Sequence, residues 1–392
     1  MIDKPLEKIS EGDIQWLIER KIPEMKTIEY KVAFALGSDS DRKEFLADVS
    51  SFANSIGGDL IFGVRAQDGE PQEIVGLTEK NIDSLKLQLE GLIKDGIKPR
   101  IPGLEIKEIT TSKGVVIFIR IPDSFCSPHV VTLKNSFKFY SRNSAGKFQL
   151  DVDELRNAFL FSDALNEKIK NFRFSRLTEI ISGDSHLQID SPAKVVLHIA
   201  PVVSFKNRSD VNLKHLKDNS FSFLQPLSSS GMSFRYNFEG LLSFWPSPVQ
   251  NTSHSYLQVY KNGVLEYVDG WILKDRDEAR MLIAGKPLIE RVFQAMENGF
   301  KIQKELLFTG PFLIFLSILE VKGYSLWLDQ MSVGIIDVYP IKNRNLIFPE
   351  VYLEGFHSNY KELFKPIFDS FYNSFGLPNC PFYDQNGAYK SK

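Results

Sequence analysis

Apolar positions follow a helical rhythm in some stretches of the first 160 residues and a strand rhythm in others. Within residues 10–20, Ile14, Leu17 and Ile18 share one helical side, behind Ser10 with Asp13 three places on, a spacing close to a capping box. Pro23 ends that helix, and residues 27–34 alternate partially, as a strand does. Phe45, Val49 and Phe52 fall at i, i+4 and i+7, with Leu46 and Ala53 beside them. They predict an amphipathic helix that starts in the turn at 37–41 and ends near Asn54. Gly57-Gly58 breaks the pattern ahead of a nearly continuous apolar run, 59–64, which predicts a buried strand. Asp68-Gly69 marks a turn. Residues 85–93 predict a helix, 115–121 a strand, 130–133 with 136–140 a hairpin, and 151–161 a helix capped by Asp151.

The second half repeats this mixture. Residues 165–181 predict a connecting helix, and 183–192, GDSHLQIDSP, read as a linker. Strand 193–200 precedes a hairpin at 256–268 turning on Asn262-Gly263, where both central residues are expected at φ > 0. A helix at 278–298, interrupted near Gly285 to Pro287, strands at 311–319 and 324–328, and an amphipathic helix at 360–375 complete the pattern. The apolar run 306–319 is too short to span a bilayer and contains Pro311, so it reads as a turn and a buried strand. The expected fold class is α+β throughout. A first domain occupies 1–162, a connecting helix and linker 163–190, and a second α+β domain 191–392.

Composition narrows the class. With 392 residues, 43% hydrophobic and 24% charged, the chain has ample apolar side chain to bury, which excludes general disorder. Two cysteines, Cys126 and Cys380, can build neither a disulfide framework nor a Cys-rich zinc site. The N-terminus shows no apolar signal segment, so a soluble, cytoplasmic protein with no membrane partner is expected. The net charge of −2 is uninformative, but its distribution is not. Residues 124–150 hold no acid, and their Lys134, Lys138, Arg142 and Lys147 are interleaved with Phe137, Phe139 and Tyr140. Such a stretch can attract phosphates and stack bases, or it can be a solvated strand edge, where lysine is common.

Several chemistries find no motif. Gly146-Lys147 and Gly285-Lys286 are followed by Phe148 and Pro287, so neither makes a phosphate loop. There is no G-x-S-x-G and no H-E-x-x-H, and the six histidines are dispersed. His129 after Pro128 could touch phosphate or sit beside a surface turn. One constellation remains. On a strand at 27–34, Glu29 and Lys31 share a face, with Glu24 shortly upstream. Paired carboxylates can bind a hard divalent cation and a lysine can hold a phosphate, although alternating charges on a strand surface produce the same pattern.

The segment Ala47 to Val64 resembles the signature of the AlbA-type domain of the Schlafen family. Phe52-Ala53-Asn54 ends a helix, Gly57-Gly58 makes the turn, and Gly63-Val64 ends a strand. Glu24, Glu29, Tyr30 and Lys31 match the family's upstream segment. Gly76, Pro128-His129, Phe139-Tyr140, Arg142 and the helix from Asp151 follow in order, so the resemblance covers about residues 10–160. It implies nucleic-acid binding and, in some members, endonuclease action on tRNA-like RNA or on DNA, plausibly in bacterial stress or phage defence. Those nucleases use three acids with Mg²⁺ or Mn²⁺. Glu24 and Glu29 carry over, Asp68 is the nearest third ligand, and Asp59 is the alternative. The place after Val64, often acidic in the family, is Arg65. Lys31 would contact the scissile phosphate, and Lys134, Lys138, Arg142 and Lys147 would track the backbone, with Tyr140 or Phe139 stacking. A non-catalytic DNA-binding regulator and a scaffold or sensor in a defence system are the alternatives. Pairing of two copies follows by analogy at fold level. Residues 190–392 look similar to the uncharacterised C-terminal half of some bacterial proteins with this domain, and no chemistry attaches to them.

Overall fold

The computed structural model of the protein describes residues 2–390 except 3, 5, 80, 207–209, 274–280, 309, 328–338 and 357–358. It divides into two units, Met1–Asn166 and Glu167–Lys392, each a mixture of helices and strands, so the chain is α+β.

The first unit begins with α1 (Glu11–Glu19), β1 (Ile28–Lys31), α2 (Asp39–Ala53) and β2 (Gly58–Phe62). A small hairpin follows, β3 (Val64–Gln67) and β4 (Glu70–Ile74), then α3 (Ile82–Gly96), β5 (Ile97–Lys98), β6 (Glu105–Thr111) and β7 (Gly114–Ile121). β8 (Val130–Val131), β9 (Lys138–Asn143) and β10 (Gly146–Gln149) complete its strands. Local chemistry explains the helix starts. The Ser10 amide donates to Asp13 at 2.8 Å, and the Ser38 hydroxyl accepts from the Asp41 amide at 3.1 Å.

The main sheet of this unit has the order β1-β2-β7-β6, with β1 parallel to β2 and the other pairs antiparallel. Both of its faces are covered. Leu60, Phe62, Ile117 and Ile119 meet Phe45, Val49 and Phe52 of α2 and Leu89 of α3. The alternate residues Ile28, Tyr30, Ile61 and Phe118 meet Ile14 and Leu17 of α1. Burial on both faces is why 59–64 and 115–121 read as unbroken apolar runs. The same alternation turns Glu29 and Lys31 toward the α2 side. Gly57-Gly58 is required by space as well as by conformation. Gly57 has φ 70°, and a Cβ on Gly58 would stand 2.5 Å from the Phe52 ring.

α4 (Val152–Ser182) is one continuous helix where two were expected, since no glycine or proline interrupts it, and the division between the units falls inside it. Its Leu177 and Ile180 are buried with Val196, Tyr256 and Val268 of the second unit. Residues 183–192, expected as a linker, belong to that unit and supply β11 (Gln188–Ile189), which pairs with Thr252 and Ser253.

The second unit continues with β12 (Lys194–Pro201), α5 (Leu213–Asn219), β13 (Ser233–Tyr236), β14 (Gly240–Pro246), β15 (Thr252–Tyr260) and β16 (Leu265–Asp269). Next come β17 (Leu282–Ala284), α6 (Gly285–Glu305), β18 (Phe312–Leu319) and β19 (Ser325–Trp327). β20 (Leu346–Ile347), β21 (Val351–Leu353), α7 (Tyr360–Leu363) and α8 (Lys365–Asn373) close the chain. Its large sheet runs β13-β14-β15-β16-β12-β18-β20, with β11 added on β15 and β21 on β18. Leu288, Val292, Phe293 and Met296 of α6 and Phe368 and Phe371 of α8 share a core with Val195, Leu197 and Leu316 of the sheet.

Two details differ from expectation. At the β15–β16 turn Gly263 takes φ 87° but Asn262 does not take a positive φ. The Tyr260 carbonyl accepts from Gly263 and its amide donates to Val264, both at 2.9 Å, which makes a three-residue loop with a bulge at the glycine. The helix expected over 278–298 begins at Gly285, after a short strand; residues 274–280 lie outside the described residues, as does Leu328 of the strand expected at 324–328.

The sheet of this unit also holds charge. Glu266 is fully buried, and its carboxylate accepts from Arg176 Nε at 2.8 Å and Nη2 at 2.9 Å and from the Tyr256 hydroxyl at 2.9 Å. His198 Nε2 lies 2.9 Å from the same group. Burial pushes this carboxyl up, but hydrogen bonds from His198 and Arg176 outweigh burial and hold it well below the usual carboxylate range. Asp269, at the end of β16, is the opposite case: burial pushes it up to about 7 and outweighs its hydrogen bonds, the largest of them from the Ile272 amide at 2.9 Å. Between its ordinary value of about 3.9 and that point the folded chain keeps a proton that the unfolded chain has released, so stability falls as pH rises. Urea denaturation at about pH 5 and about pH 8 is expected to show the lower stability at the higher pH, and Asp269→Asn is expected to remove this contribution. A slope unchanged in that variant would refute the assignment.

Candidate nucleic-acid interface

The strand β1 lies at the edge of its sheet, and its two charged residues face α2. Lys31 Nζ is 2.6 Å from Glu29 and 3.7 Å from Asp48 of α2. Arg142 of β9 reaches the other Glu29 oxygen at 2.7 Å. Lys147 of β10 sits 2.6 Å from Asp48 and also pairs with Glu44. Three cations and three carboxylates thus interlock between β1, α2 and the β9–β10 hairpin. Burial alone would raise the Glu29 carboxyl, but the Lys31 hydrogen bond and charge, helped by Arg142, hold it below its ordinary range. Lys31 is itself held above the ordinary lysine value, because Asp48 and Glu29 outweigh its burial. Asp48 is pushed up, first by burial and then by the Glu29 charge, against Lys147 and Lys31.

The other two proposed metal ligands lie elsewhere. Glu24 is exposed; its Oε1 accepts from the Tyr30 amide at 3.0 Å, and its own amide donates to the Gly69 carbonyl at 2.7 Å. That brings Glu24 against the β3–β4 turn, where Asp68 has φ 51° and is exposed. Asp59 points away altogether, bonded to Arg120 Nε at 2.8 Å and to the Ile2 amide at 2.7 Å. Arg65, in the place after Val64, pairs with Glu73 across the hairpin. Glu24, Glu29 and Asp68 therefore do not fit Mg²⁺ or Mn²⁺. Both Glu29 oxygens already face cations, and among the described residues no three His, Cys, Asp or Glu side chains converge as metal ligands do.

The basic residues divide in the same way. Arg142 is only 4% exposed and its guanidinium carbon stands 3.7 Å from the Phe52 ring centroid, so it supports the fold and does not track a backbone. Lys147 is spent on Asp48 and Glu44. Lys138 is exposed, with no ion pair among the described residues. Lys134 is exposed and meets only the exposed Asp39 at 3.6 Å, a pair of little strength in water. Between them Phe137 is 64% exposed. Tyr140 and Phe139 are half-buried; burial raises the Tyr140 hydroxyl pKa, and Phe139 meets Phe159 edge-on at 6.2 Å.

Asn54 explains why this hairpin is held where it is. Its side-chain amide donates to the His129 and Tyr140 carbonyls, each at 2.8 Å, and its oxygen accepts from the His129 amide at 2.6 Å. His129 itself is fully buried, with Nδ1 2.8 Å from the Pro99 carbonyl, so it is not available to a phosphate.

Residues 24–151 match the family model described as Schlafen, AlbA_2. The first unit carries a Schlafen AlbA_2-type domain. No curated protein matches the chain. Among solved structures it is similar to the DIP2311 protein from Corynebacterium diphtheriae, at 17% identity over 36% of this chain and 29% of that chain, with a TM-score of 0.26. It is also similar to the N-terminal domain of an ATP-dependent DNA helicase RecG-related protein from Nitrosomonas europaea. There the identity is 22% over 29% of this chain and 74% of that chain, with a TM-score of 0.23. The match spans under a third of the DIP2311 chain. Among the described residues no helix is long and apolar enough to cross a membrane.

Asp48 and Glu44 are the members of the AlbA_2 charge cluster absent from the candidates drawn from sequence, and Asp48 is the buried one. Its signal was present: it stands three residues after Phe45 and four before Phe52, so an acid interrupts the apolar stripe of α2.

Proposed function

We propose that the AlbA_2 domain of this chain binds nucleic acid through the turn and strand at residues 133–140. The observation that carries this reading is the turn itself. Lys134 and Phe137 have φ of 49° and 47°, a conformation that costs such residues roughly 1–2 kcal/mol each, while Asn135, at 58°, is of a type that adopts it more readily. Strain retained in an exposed turn supports a functional role. The result is an exposed ring between two exposed lysines in a stretch without acids, which suits a phosphate backbone and a stacked base. The AlbA_2 match points the same way. The reading is binding by charge and stacking, with no step assigned to a metal, because both Glu29 oxygens face cations and no three ligating side chains converge among the described residues.

Fluorescence anisotropy with labelled tRNA, single-stranded DNA and duplex DNA tests it, run in Mg²⁺, in Mn²⁺ and in EDTA. Lys138→Ala is expected to weaken binding and to flatten its salt dependence by about one charge, and Lys134→Ala/Lys138→Ala by about two. EDTA is expected to leave the affinity unchanged. Unaltered affinity and slope in the double variant would refute the surface. Cutting that requires Mn²⁺ and disappears in Glu24→Gln would replace binding with cleavage.

A further inference from the structure

The second unit has an aromatic and basic surface of its own. β13 is the end strand of the large sheet, and among the described residues its only strand partner is β14. Around it Phe221 is 52% exposed, Tyr236 52% and Phe238 91%. Phe238 stands in the turn between β13 and β14. Phe234 and Tyr236 share one face of the strand, and Phe221 packs on Phe234 with ring centroids 5.1 Å apart.

Cations attend these rings. Lys217 of α5 lies 6.0 Å from the Phe234 centroid and 5.6 Å from that of Tyr236, and Lys261 lies 5.2 Å from that of Phe238. Residues 210–239 include Lys214, Lys217 and Arg235 with the acids Asp210, Asp218 and Glu239, and Lys261 adds a fourth cation. Among the described residues none of Lys214, Lys217, Arg235 and Lys261 has an ion pair, while the nearby Glu239 is turned to His186 at 3.1 Å. Rings grouped in this way form one apolar patch of the kind that marks an interaction site, and the cations without ion pairs beside it favour a polyanion over an apolar partner.

We infer that the β13 edge, with Tyr236, Phe238, Phe221, Lys217 and Lys261, is a binding surface for single-stranded nucleic acid, distinct from the AlbA_2 turn. The rings offer faces on which successive bases stack without regard to sequence. The lysines now resting over them move onto the phosphates between stacked bases. Duplex is disfavoured, because its bases have no free face to give.

The test uses the full chain and a fluorescein-labelled poly-dT strand of about 20 nucleotides, long enough to cross such a surface. Tyr236→Ala/Phe238→Ala is expected to weaken binding about tenfold or more, with thermal unfolding unchanged, because these rings are exposed. Tyr236→Phe/Phe238→Trp, which keeps the stacking faces, is expected to bind as the parent does. Lys217→Ala/Lys261→Ala is expected to reduce the salt slope by about one and a half. Each variant is also made on the Lys134→Ala/Lys138→Ala background, so that loss at one surface is read without the other. Photo-cross-linking to a 4-thiothymidine strand is expected to place adducts within 221–238. No adduct there, with unchanged affinity in both double variants, would overturn the inference. So would a change in solution mass on Tyr236→Ala/Phe238→Ala with unchanged oligonucleotide affinity, which would make the edge a protein-docking surface.

Discussion

Replacing Arg142 with methionine is expected to destabilise the first unit by about 2–3 kcal/mol, the upper range for a lost hydrogen bond between charged groups, since Lys31 still faces Glu29. Arg142 is buried, reaches Glu29 at 2.7 Å and stacks on Phe52. Methionine preserves much of the packing on Phe52 but leaves one Glu29 oxygen without its cation. The control is Glu29→Gln/Arg142→Met, which removes both charges and is expected to recover most of the loss. Hydrogen exchange at the amides of α2 and β9 reads the effect locally, since the pair ties β1 to that hairpin. A loss under about 1 kcal/mol for the single variant would mean that the Arg142–Glu29 contact is solvated, and would reopen that Glu29 oxygen as a ligand.

The second large effect is expected in the other unit. Glu266→Ala removes the acceptor for both Arg176 contacts and for Tyr256, and leaves His198 without its carboxylate. The expected cost is about 3 kcal/mol, the lower end of the penalty for breaking a buried pair because Arg176 keeps the partly exposed Glu179, and it is a large share of a typical domain's stability. Glu266→Gln keeps the shape and one acceptor and is expected to cost less, while Arg176→Met/Glu266→Gln recovers part of the loss. The pH dependence has a definite sign. The Glu266 pKa is depressed on folding, so its contribution is fully present above the ordinary carboxylate value and is lost as pH falls through the folded one. Acid unfolding should therefore be shallower in Glu266→Gln. Equal stability of Glu266→Ala and the parent would contradict the network.

The first unit's framework was legible because its strongest signals are local. The capped helices at 10–20 and 39–53, the Gly57-Gly58 reversal and the strands at 59–64 and 115–121 follow from period, caps and turn residues. β6 went unseen because its sequence, EIKEITT, has few apolar residues and forms a sheet edge. The long α4 was divided because amphipathic periodicity weakens between residues 161 and 165. At the candidate site, the strand alternation placed Glu29 and Lys31 together correctly. It could not show that Arg142 and Lys147 turn inward, because their partners, Glu29, Asp48 and Glu44, are about 100 residues away. A basic stretch in sequence shows charge but not which charges are already answered.

The first unit's sheet is covered on both faces, and that has a consequence for how its specificity can change over generations. Neither face is open to a ligand, so the binding proposed for this unit falls to its rim: the exposed turn at 133–138 and the β3–β4 hairpin. Interior replacements there are met by cavities or stranded charges costing several kcal/mol, whereas most rim replacements cost under about 0.5 kcal/mol. Selection can therefore redraw what the rim recognises, residue by residue, while the packed interior remains as inherited.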